Sequence, residues 1–181
     1  MQCIKYATKQ LRKLWKRYIV KISIINVRIN NKQFMQDFIT REITVKANKE
    51  QVYNAITDPK QIVTWFPDAI EGGTLEAGQS PILVFGNGKH RSQIYVEAAK
   101  PFDYFSYRWV PGGAGIVGDV LAIPNTLVEF FIEEQTEGTK ITVKESGFNS
   151  LPIEVAEKSF GENSGGWEQM MNRLEKVLSK E

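Results

Sequence analysis

The sequence predicts an α+β domain in which one long C-terminal helix covers an antiparallel sheet. A strand and two short helices come first, a series of strand patterns follows without intervening helices, and one long helical pattern closes the chain. Helices grouped at the ends of such a series are typical of α+β domains, whereas βαβ units would alternate the two elements. The apolar face of the sheet needs a cover, and the last helix is the only element long enough to supply it.

The start of the domain carries clear signals for three elements. Phe38–Val45 has the pattern of a strand. Asn48 can cap the helix that follows, while Gln51 at its third position reaches back to the backbone of the cap. Asp58 and Pro59 then begin a second, short helix, because aspartate caps well and proline fits the first helical turn.

Alternating apolar and polar residues predict a meander of about six further strands. A short strand is expected at Thr74–Leu75. Asn87-Gly88 is typical of a hairpin turn, and it joins the strand patterns Ile82–Phe85 and Arg91–Ala98. Three more strands are predicted at Phe102–Val110, Thr126–Glu134 and Thr139–Ser146.

The closing helix is predicted over the region Pro152–Ser179. Gly161, Gly165 and Gly166 lower the helix propensity of its middle, each by about 1 kcal/mol relative to alanine. Such glycines are expected where a helix bends or lies close to a sheet. Its second half places five apolar residues on one stripe, namely Trp167, Met170, Met171, Leu174 and Leu178.

Charge divides the chain near Met35. Residues 1–36 contain nine lysines and arginines and no acidic residue, whereas the remainder holds 14 basic and 21 acidic residues. We therefore expect a basic leader at residues 1–34 and a folded α+β domain at residues 35–181.

Three interpretations of the leader stay open. An apolar stripe from Leu11 to Ile22 faces basic residues, which suits an amphipathic helix on a membrane surface. A partner-docking arm, or one attracted to nucleic acid, is the second interpretation. In the third, the leader is upstream sequence and not part of the native protein.

Composition excludes several classes of protein. No apolar run is long enough to span a bilayer, and no clean signal peptide follows the basic start. Cys3 is the only cysteine, so an internal disulfide is excluded and a reducing cytoplasm is the expected location. His90 is the only histidine, and with scattered carboxylates it offers no closed ligand set, so we expect no metal and no other cofactor.

Gly113–Gly118 has the glycine spacing of a dinucleotide-binding loop, but its context argues against that function. Such a site needs a helix directly after the loop, so that phosphates meet the N-terminal amides of the helix. Only eight residues separate Gly118 from Leu127, and Pro124 is among them. No crossover helix fits there, so we expect a flexible loop and no nucleotide or nucleic-acid partner for the domain.

Glu145 is the candidate polar residue of the interior. It follows Ile141 and Val143 on the inward side of a strand, where an unpaired carboxylate must find a partner or a proton. It could anchor a ligand hydroxyl or accept a proton. Alternatively, it could pair with Arg41, which alternation places on the inward face of the first strand. It could also lie at a rim in contact with water.

Aromatic and methionine side chains predict the rest of the interior. They form hydrophobic core by default, and they become a pocket wall only if the packing leaves a void. Methionines suit an adaptable pocket because thioether chains repack around varied shapes. No catalytic residue is assigned, and the candidate ligand-binding residues are Glu145 together with Trp65, Phe66, Phe105, Tyr107, Trp109, Phe130, Ile132, Val143, Trp167, Met170, Met171 and Leu174.

Several short stretches occur in an order that is similar to a known family, namely Ile43–Ala47, Val52–Pro59, Trp65-Phe66, Gly138–Val143, Glu145–Phe148 and Gly166-Trp167. Together they resemble the SRPBCC (START-like) superfamily, in the branch named after the activator of heat-shock protein 90 ATPase. The resemblance covers about residues 38–180. It implies a helix-grip fold with a largely apolar cavity that binds hydrophobic ligands, and for most members it implies no assigned reaction.

Two features depart from the family pattern. The eukaryotic activators carry an additional domain that engages the chaperone, and nothing in this sequence is long enough to supply it. A chaperone partner is therefore not expected. The segment Pro111–Asn125 looks longer and richer in glycine than the family usually has, which makes it a candidate for a mobile lid over a cavity mouth.

Three functions therefore compete. The leading hypothesis is binding of a small hydrophobic or aromatic ligand in an internal cavity between the sheet and the C-terminal helix, without catalysis. The first alternative is a cavity enzyme of the cyclase or hydrolase type that uses Glu145, which needs a second convergent titratable group. The second is a protein-interaction module related to chaperone regulation, which needs an exposed apolar or charged patch.

Deletion of residues 1–34 should leave the domain folded, because the pattern of strands and helices is complete from Phe38 onward. Thermal unfolding of the truncated and the full-length protein should give midpoints that agree within a few degrees. A larger fall on truncation would show that the leader belongs to the core.

Overall fold

The computed structural model describes residues 36–112 and 116–179, and the predicted leader at residues 1–34 lies outside this part. The described elements belong to the unit Asp37–Glu181. Its strands are β1 (Phe38–Val45), β2 (Ala69–Glu71), β3 (Ile82–Phe85), β4 (His90–Lys100), β5 (Tyr104–Trp109), β6 (Thr126–Gln135) and β7 (Gly138–Ser146). Its α-helices are α1 (Lys49–Thr57), α2 (Pro59–Ile62) and α3 (Ile153–Leu178).

In the described residues, seven strands form one antiparallel sheet in the order β1-β7-β6-β5-β4-β3-β2. Strands β2 to β7 make the predicted meander, and β1 joins it beside β7. The register aligns Tyr107, Val128 and Glu145 in one row across three strands. The pairing of β4 with β5 shifts between Val96 and Ala98, and such a bulge bends a strand. With α3 against β1, this architecture confirms the predicted α+β helix-grip fold.

The predicted capping signals are present at the start of α1 and α2. Asn48 Oδ1 accepts a hydrogen bond from Gln51 N, and Gln51 Oε1 accepts one from Asn48 N, both at 2.9 Å. Asp58 Oδ1 accepts from Lys60 N at 2.8 Å, and Pro59 occupies the first turn of α2. The two helices therefore start where the local sequence signals predict.

Trp65 fixes the chain that follows α2. Its Nε1 donates a hydrogen bond to Ala55 O at 2.9 Å, which ties this segment to α1. Its ring stacks on Phe66 with 5.4 Å between centroids and meets Phe130 edge-on at 6.3 Å. Phe66 is thereby held beside the sheet.

One predicted strand is misplaced. Thr74–Leu75 lies in a loop, and the short strand β2 occurs earlier, at Ala69–Glu71. Gly72 has a φ of 72°, a left-handed conformation that glycine adopts at little cost, and it ends β2. Leu75 is buried, so its apolar character reflects anchoring of the loop and not alternation in a strand.

The predicted hairpin joins β3 to β4. Phe85 is opposite His90 in the register, so residues 86–89 form the turn. Asn87 has a φ of 56°, a conformation that asparagine adopts more readily than most residues. The turn places Phe85 and Gly86 at the edge of the pocket described below.

Helix α3 runs without interruption from Ile153 to Leu178. An ideal Cβ at Gly161, Gly165 or Gly166 would meet no atom within 4 Å. The expectation that these glycines allow close approach to the sheet is therefore wrong. Four residues of the predicted apolar stripe are buried, namely Trp167, Met171, Leu174 and Leu178.

The segment Pro111–Asn125 contains, in its described residues, one turn of 3₁₀ helix at Val120–Ala122. Ile116 O accepts a hydrogen bond from Gln93 N at 3.2 Å, which attaches the loop to β4. No α-helix follows the glycines within residues 116–125, so the described part of the loop offers no helix N-terminus for a phosphate. Its role as a lid stays a prediction.

Two glycine substitutions should change stability in opposite directions. Gly165→Ala should raise the free energy of unfolding by about 1 kcal/mol, because the added methyl meets no neighbour and alanine favours the helix. Gly138→Ala should lower it by about 1–3 kcal/mol or more. The new Cβ would lie 2.0 Å from Val45 O, at a φ of +141°. Urea unfolding measures both changes, and equal effects would contradict the close contact of Gly138 with β1.

Candidate functional site

Glu145 lies at the centre of a buried polar cluster. It is on β7, with 0% of its surface exposed. Its register neighbours are Val128 on β6 and Ile39 on β1, which place it within the inward-facing rows of the sheet. The prediction that Glu145 points inward is confirmed by this burial.

Within the described residues, four side chains donate hydrogen bonds to the Glu145 carboxylate. Oε1 accepts from Trp109 Nε1 at 2.8 Å and from Thr126 Oγ1 at 2.7 Å. Oε2 accepts from Trp167 Nε1 at 2.7 Å. Asn163 Nδ2 lies 3.0 Å from both oxygens. The donors come from β5, β6 and α3, so one carboxylate connects the closing helix to the sheet.

Burial raises the pKa of Glu145 above its ordinary value, and the hydrogen bonds from its four donors oppose that rise. Both carboxylate oxygens are already occupied by donors. A ligand proton could reach an oxygen only by displacing one of these bonds. The geometry therefore favours Glu145 as an anchor for its neighbours over Glu145 as a catalytic base.

The alternative in which Glu145 pairs with Arg41 is wrong. Arg41 is opposite Val143 in the register, whereas Glu145 is opposite Ile39, two positions away. Its guanidinium donates instead to Ser164 on α3, to the carbonyl oxygen at 3.0 Å and to Oγ at 2.8 Å. The rim position is also wrong, because Glu145 is completely buried. Two indoles, a hydroxyl and an amide satisfy the carboxylate in place of a cation.

Tyr107 carries the other polar group of the inward face. Its side chain is 1% exposed, and its hydroxyl has no hydrogen-bond partner in the described part of the chain. Burial, and then the nearby charge of Glu145, raise the pKa of Tyr107 well above its usual value. The hydroxyl therefore remains protonated at neutral pH.

A pocket of about 250 Å³ lies beside the cluster. Phe66 and Trp167, among its lining residues, are buried, whereas Asp68, Gly86 and Arg173 are exposed and form its rim. The other lining residues are Phe85, Trp109, Asn163, Gly166 and Met170. The pocket thus runs from an exposed, charged rim to a buried aromatic floor.

Four aromatic rings form a continuous wall of this pocket. Phe66 stacks on Trp167 with 5.5 Å between ring centroids and meets Phe85 edge-on at 5.4 Å. The ring of Trp109 lies 6.0 Å from that of Trp167. Because both indole N–H groups donate to Glu145, the wall presents carbon and not polar hydrogen to the pocket.

The structure divides the predicted ligand-binding residues into three groups. Glu145 is not a lining residue, and it accepts hydrogen bonds from two rings of the wall, those of Trp109 and Trp167. Four predicted residues line the pocket, namely Phe66, Trp109, Trp167 and Met170. Eight others are buried outside the pocket lining, namely Trp65, Phe105, Tyr107, Phe130, Ile132, Val143, Met171 and Leu174. Ligand binding by any of these residues stays a prediction.

Sequence reasoning missed six lining residues, namely Asp68, Phe85, Gly86, Asn163, Gly166 and Arg173. A usable signal existed for Asn163. It precedes Trp167 by four residues on α3, and residues at that spacing share one face of a helix. The other five lie in a loop, at a strand end, in a turn and on α3. No periodic pattern in the sequence distinguishes these positions as pocket residues.

The described residues contain neither a cluster of metal ligands nor a membrane-spanning helix. Across residues 36–112 and 116–179, no three His, Cys, Asp or Glu side chains lie together as ligands for a metal ion. In the same part of the chain, none of the helices combines the length and apolar composition needed to cross a membrane.

The sheet, the closing helix and the pocket beside them define a helix-grip domain of the SRPBCC type. The model of the family described as activator of Hsp90 ATPase homolog 1-like protein matches residues 46–179, and the chain belongs to this family. No curated protein matches the sequence.

Solved structures share the fold. DynU16, a protein in the dynemicin biosynthetic locus, is 26% identical with a TM-score of 0.63 over 80% of this chain, which spans only 48% of DynU16. Protein MLL2253 from Mesorhizobium loti is 22% identical with a TM-score of 0.64, over 78% of this chain and 96% of that one. The Aha1 dimer from Colwellia psychrerythraea is 17% identical with a TM-score of 0.61, over 80% and 97% of the two chains.

Glu145→Gln should remove a pH-dependent contribution to stability. The pKa of Glu145 is raised in the folded protein, so the folded state holds this proton more tightly than the unfolded state does. Stability from this group is therefore fully present below its ordinary pKa of 4.5 and is lost as pH rises through the folded-state pKa.

Urea unfolding of both proteins from about pH 4 to about pH 8 measures this contribution. The unfolding free energy of the wild type minus that of the variant should grow as the pH is lowered. A constant difference, or one that grows with rising pH, would show that Glu145 is not the titrating group.

Proposed function

We propose that this protein binds a small, largely apolar molecule of one or two rings in the pocket beside Glu145, without catalysing a reaction on it. The pocket itself carries the proposal. Its volume is about 250 Å³. A dry cavity of about 150 Å³ can hold benzene, and drug-sized ligands need about 300–1,000 Å³. The volume therefore suits a bicyclic aromatic molecule better than a larger ligand.

The walls of the pocket are preorganised. Trp109 and Trp167 donate to the same carboxylate, so rotation of either indole would remove a donor from a buried charged group. Walls that are already ordered lose little side-chain entropy on binding. Burial of ligand surface, at roughly 25 cal/mol per Å² of apolar area, is then the main favourable contribution.

The chemistry of the pocket supports binding over catalysis. Glu145 has both oxygens occupied, and the titratable residues that line the pocket within the described chain are Asp68 and Arg173, at the exposed rim. Asp68 Oδ2 itself accepts from Asn87 N at 2.7 Å. Glu145 lies behind the wall, and the titratable lining residues stay at the rim, so this lining does not supply the convergent pair that the enzyme hypothesis requires.

Two further observations fit this role. DynU16 belongs to a biosynthetic locus, which is consistent with a small-molecule function for the shared fold. The composition, with Cys3 as the only cysteine, supports a reducing cytoplasmic compartment.

A protein-interaction module is the remaining alternative. It would use the described end of the Pro111–Asn125 segment, where four large apolar side chains are exposed, namely Ile116, Val117, Leu121 and Ile123. The pocket-filling variant below separates this function from ligand binding, since it leaves that segment unchanged.

Filling the pocket from α3 tests the proposal. Gly166 lines the pocket, and an added Cβ there meets no atom within 4 Å, so the side chain of Gly166→Leu starts in open space and should reduce the volume left for a ligand. Gly165→Leu places the same side chain one residue away, outside the lining, as a matched control. One- and two-ring aromatic compounds such as indole should stabilise the wild type and Gly165→Leu but not Gly166→Leu.

The gain in stability for the wild type should be about 2.7 kcal/mol at a ligand concentration one hundred times the Kd. Thermal unfolding with and without each compound measures it. A panel of such compounds that leaves the wild type unchanged refutes ligand binding. An undiminished response in Gly166→Leu places any binding site elsewhere.

A further inference from the structure

The orientation of the Asn163 amide bears on which ligands the pocket accepts, an inference that rests on the proposed function. Asn163 connects the buried carboxylate to the pocket. Its Nδ2 lies 3.0 Å from both oxygens of Glu145, and its side chain is part of the pocket lining. The amide therefore has one end in the polar cluster and the rest available to a ligand.

Glu145 decides which end of this amide faces the pocket. A carboxylate only accepts hydrogen bonds, so the amide must turn its nitrogen toward Glu145. The carbonyl oxygen Oδ1 then lies on the side away from the carboxylate. In the described part of the chain, the hydrogen bonds of Asn163 are those to Glu145, and none reaches Oδ1. Because Asn163 is a lining residue, Oδ1 is the atom through which we infer that it meets a ligand in the pocket.

The other polar groups of the lining either already donate to Glu145 or lie at the rim. The indole N–H groups of Trp109 and Trp167 are used by Glu145. Charged side chains lie at the exposed rim, on Asp68 and Arg173. Away from the rim, an apolar molecule in the pocket would cover Oδ1 and take it out of water. An acceptor that loses water without gaining a donor costs free energy.

We propose that Asn163 Oδ1 accepts a hydrogen bond from the ligand, and that the pocket therefore selects one- or two-ring aromatic molecules that carry an N–H or O–H donor. Discrimination of this kind is effective because the analogue without the donor leaves a polar group of the site unpaired. Glu145 acts as the positioning residue, since it holds the amide in the orientation that presents its oxygen.

Two compounds of nearly equal shape test this selection. Indole carries an N–H donor, and benzothiophene has the same fused skeleton without one. Isothermal titration calorimetry gives the Kd of each for the wild type and for Asn163→Leu. The ratio of the benzothiophene Kd to the indole Kd should fall roughly 2- to 12-fold in Asn163→Leu, the range expected for one neutral hydrogen bond. Asn172→Leu makes the same exchange at an exposed position of α3 and should keep the wild-type ratio.

A measurement on the wild type alone covers the case in which Asn163→Leu does not fold. In the complex with ¹⁵N-indole, the N–H proton should move downfield and exchange with water more slowly than in free indole. An N–H proton that exchanges as fast as in free indole overturns the proposal.

The outcomes separate the two proposals. If neither compound binds the wild type up to its solubility limit, the proposed function fails and the donor selection fails with it. If both bind and Asn163→Leu keeps the wild-type ratio, the pocket still binds apolar molecules but does not select a donor. A change of the same size in Asn172→Leu would also overturn the role of Asn163.

Discussion

The hydrogen bonds to the Glu145 carboxylate are the interaction on which the site depends. A buried carboxylate is tolerated only when it is well hydrogen-bonded, and here its donors come from β5, β6 and α3. Removal of one donor would leave a charge short of partners in an apolar surrounding. The position of the closing helix, the orientation of two indoles and the orientation of one amide are therefore linked through a single side chain.

This arrangement also explains why a charged residue supports an apolar pocket. Both indole N–H groups turn toward Glu145, so Trp109 and Trp167 present carbon to the space beside Phe66. Neutral donors satisfy the carboxylate, and the cation of Arg41 is directed to Ser164 instead. Trp109 and Trp167 thus belong to both features, with their N–H groups in the polar cluster and their ring carbons in the apolar wall.

Large aromatic side chains occupy the inward face of the sheet. Trp65, Phe105 and Phe130 contact one another or their aromatic neighbours, and together with Tyr107 they fill the inward face. Room for a ligand remains near Gly166, where the helix carries no side chain.

The sequence by itself determined the α+β class, the meander, the starts of α1 and α2, and the inward direction of Glu145. Each of these rests on a local signal, such as strand alternation or the capping box of Asn48 and Gln51, which nearby residues set. Tertiary structure decided the partners of Glu145, the place of β2 and the position of the pocket. These features depend on the register between neighbouring strands and on how α3 packs against the sheet. An offset of two register positions separates Arg41 from Glu145, and no local pattern records that register.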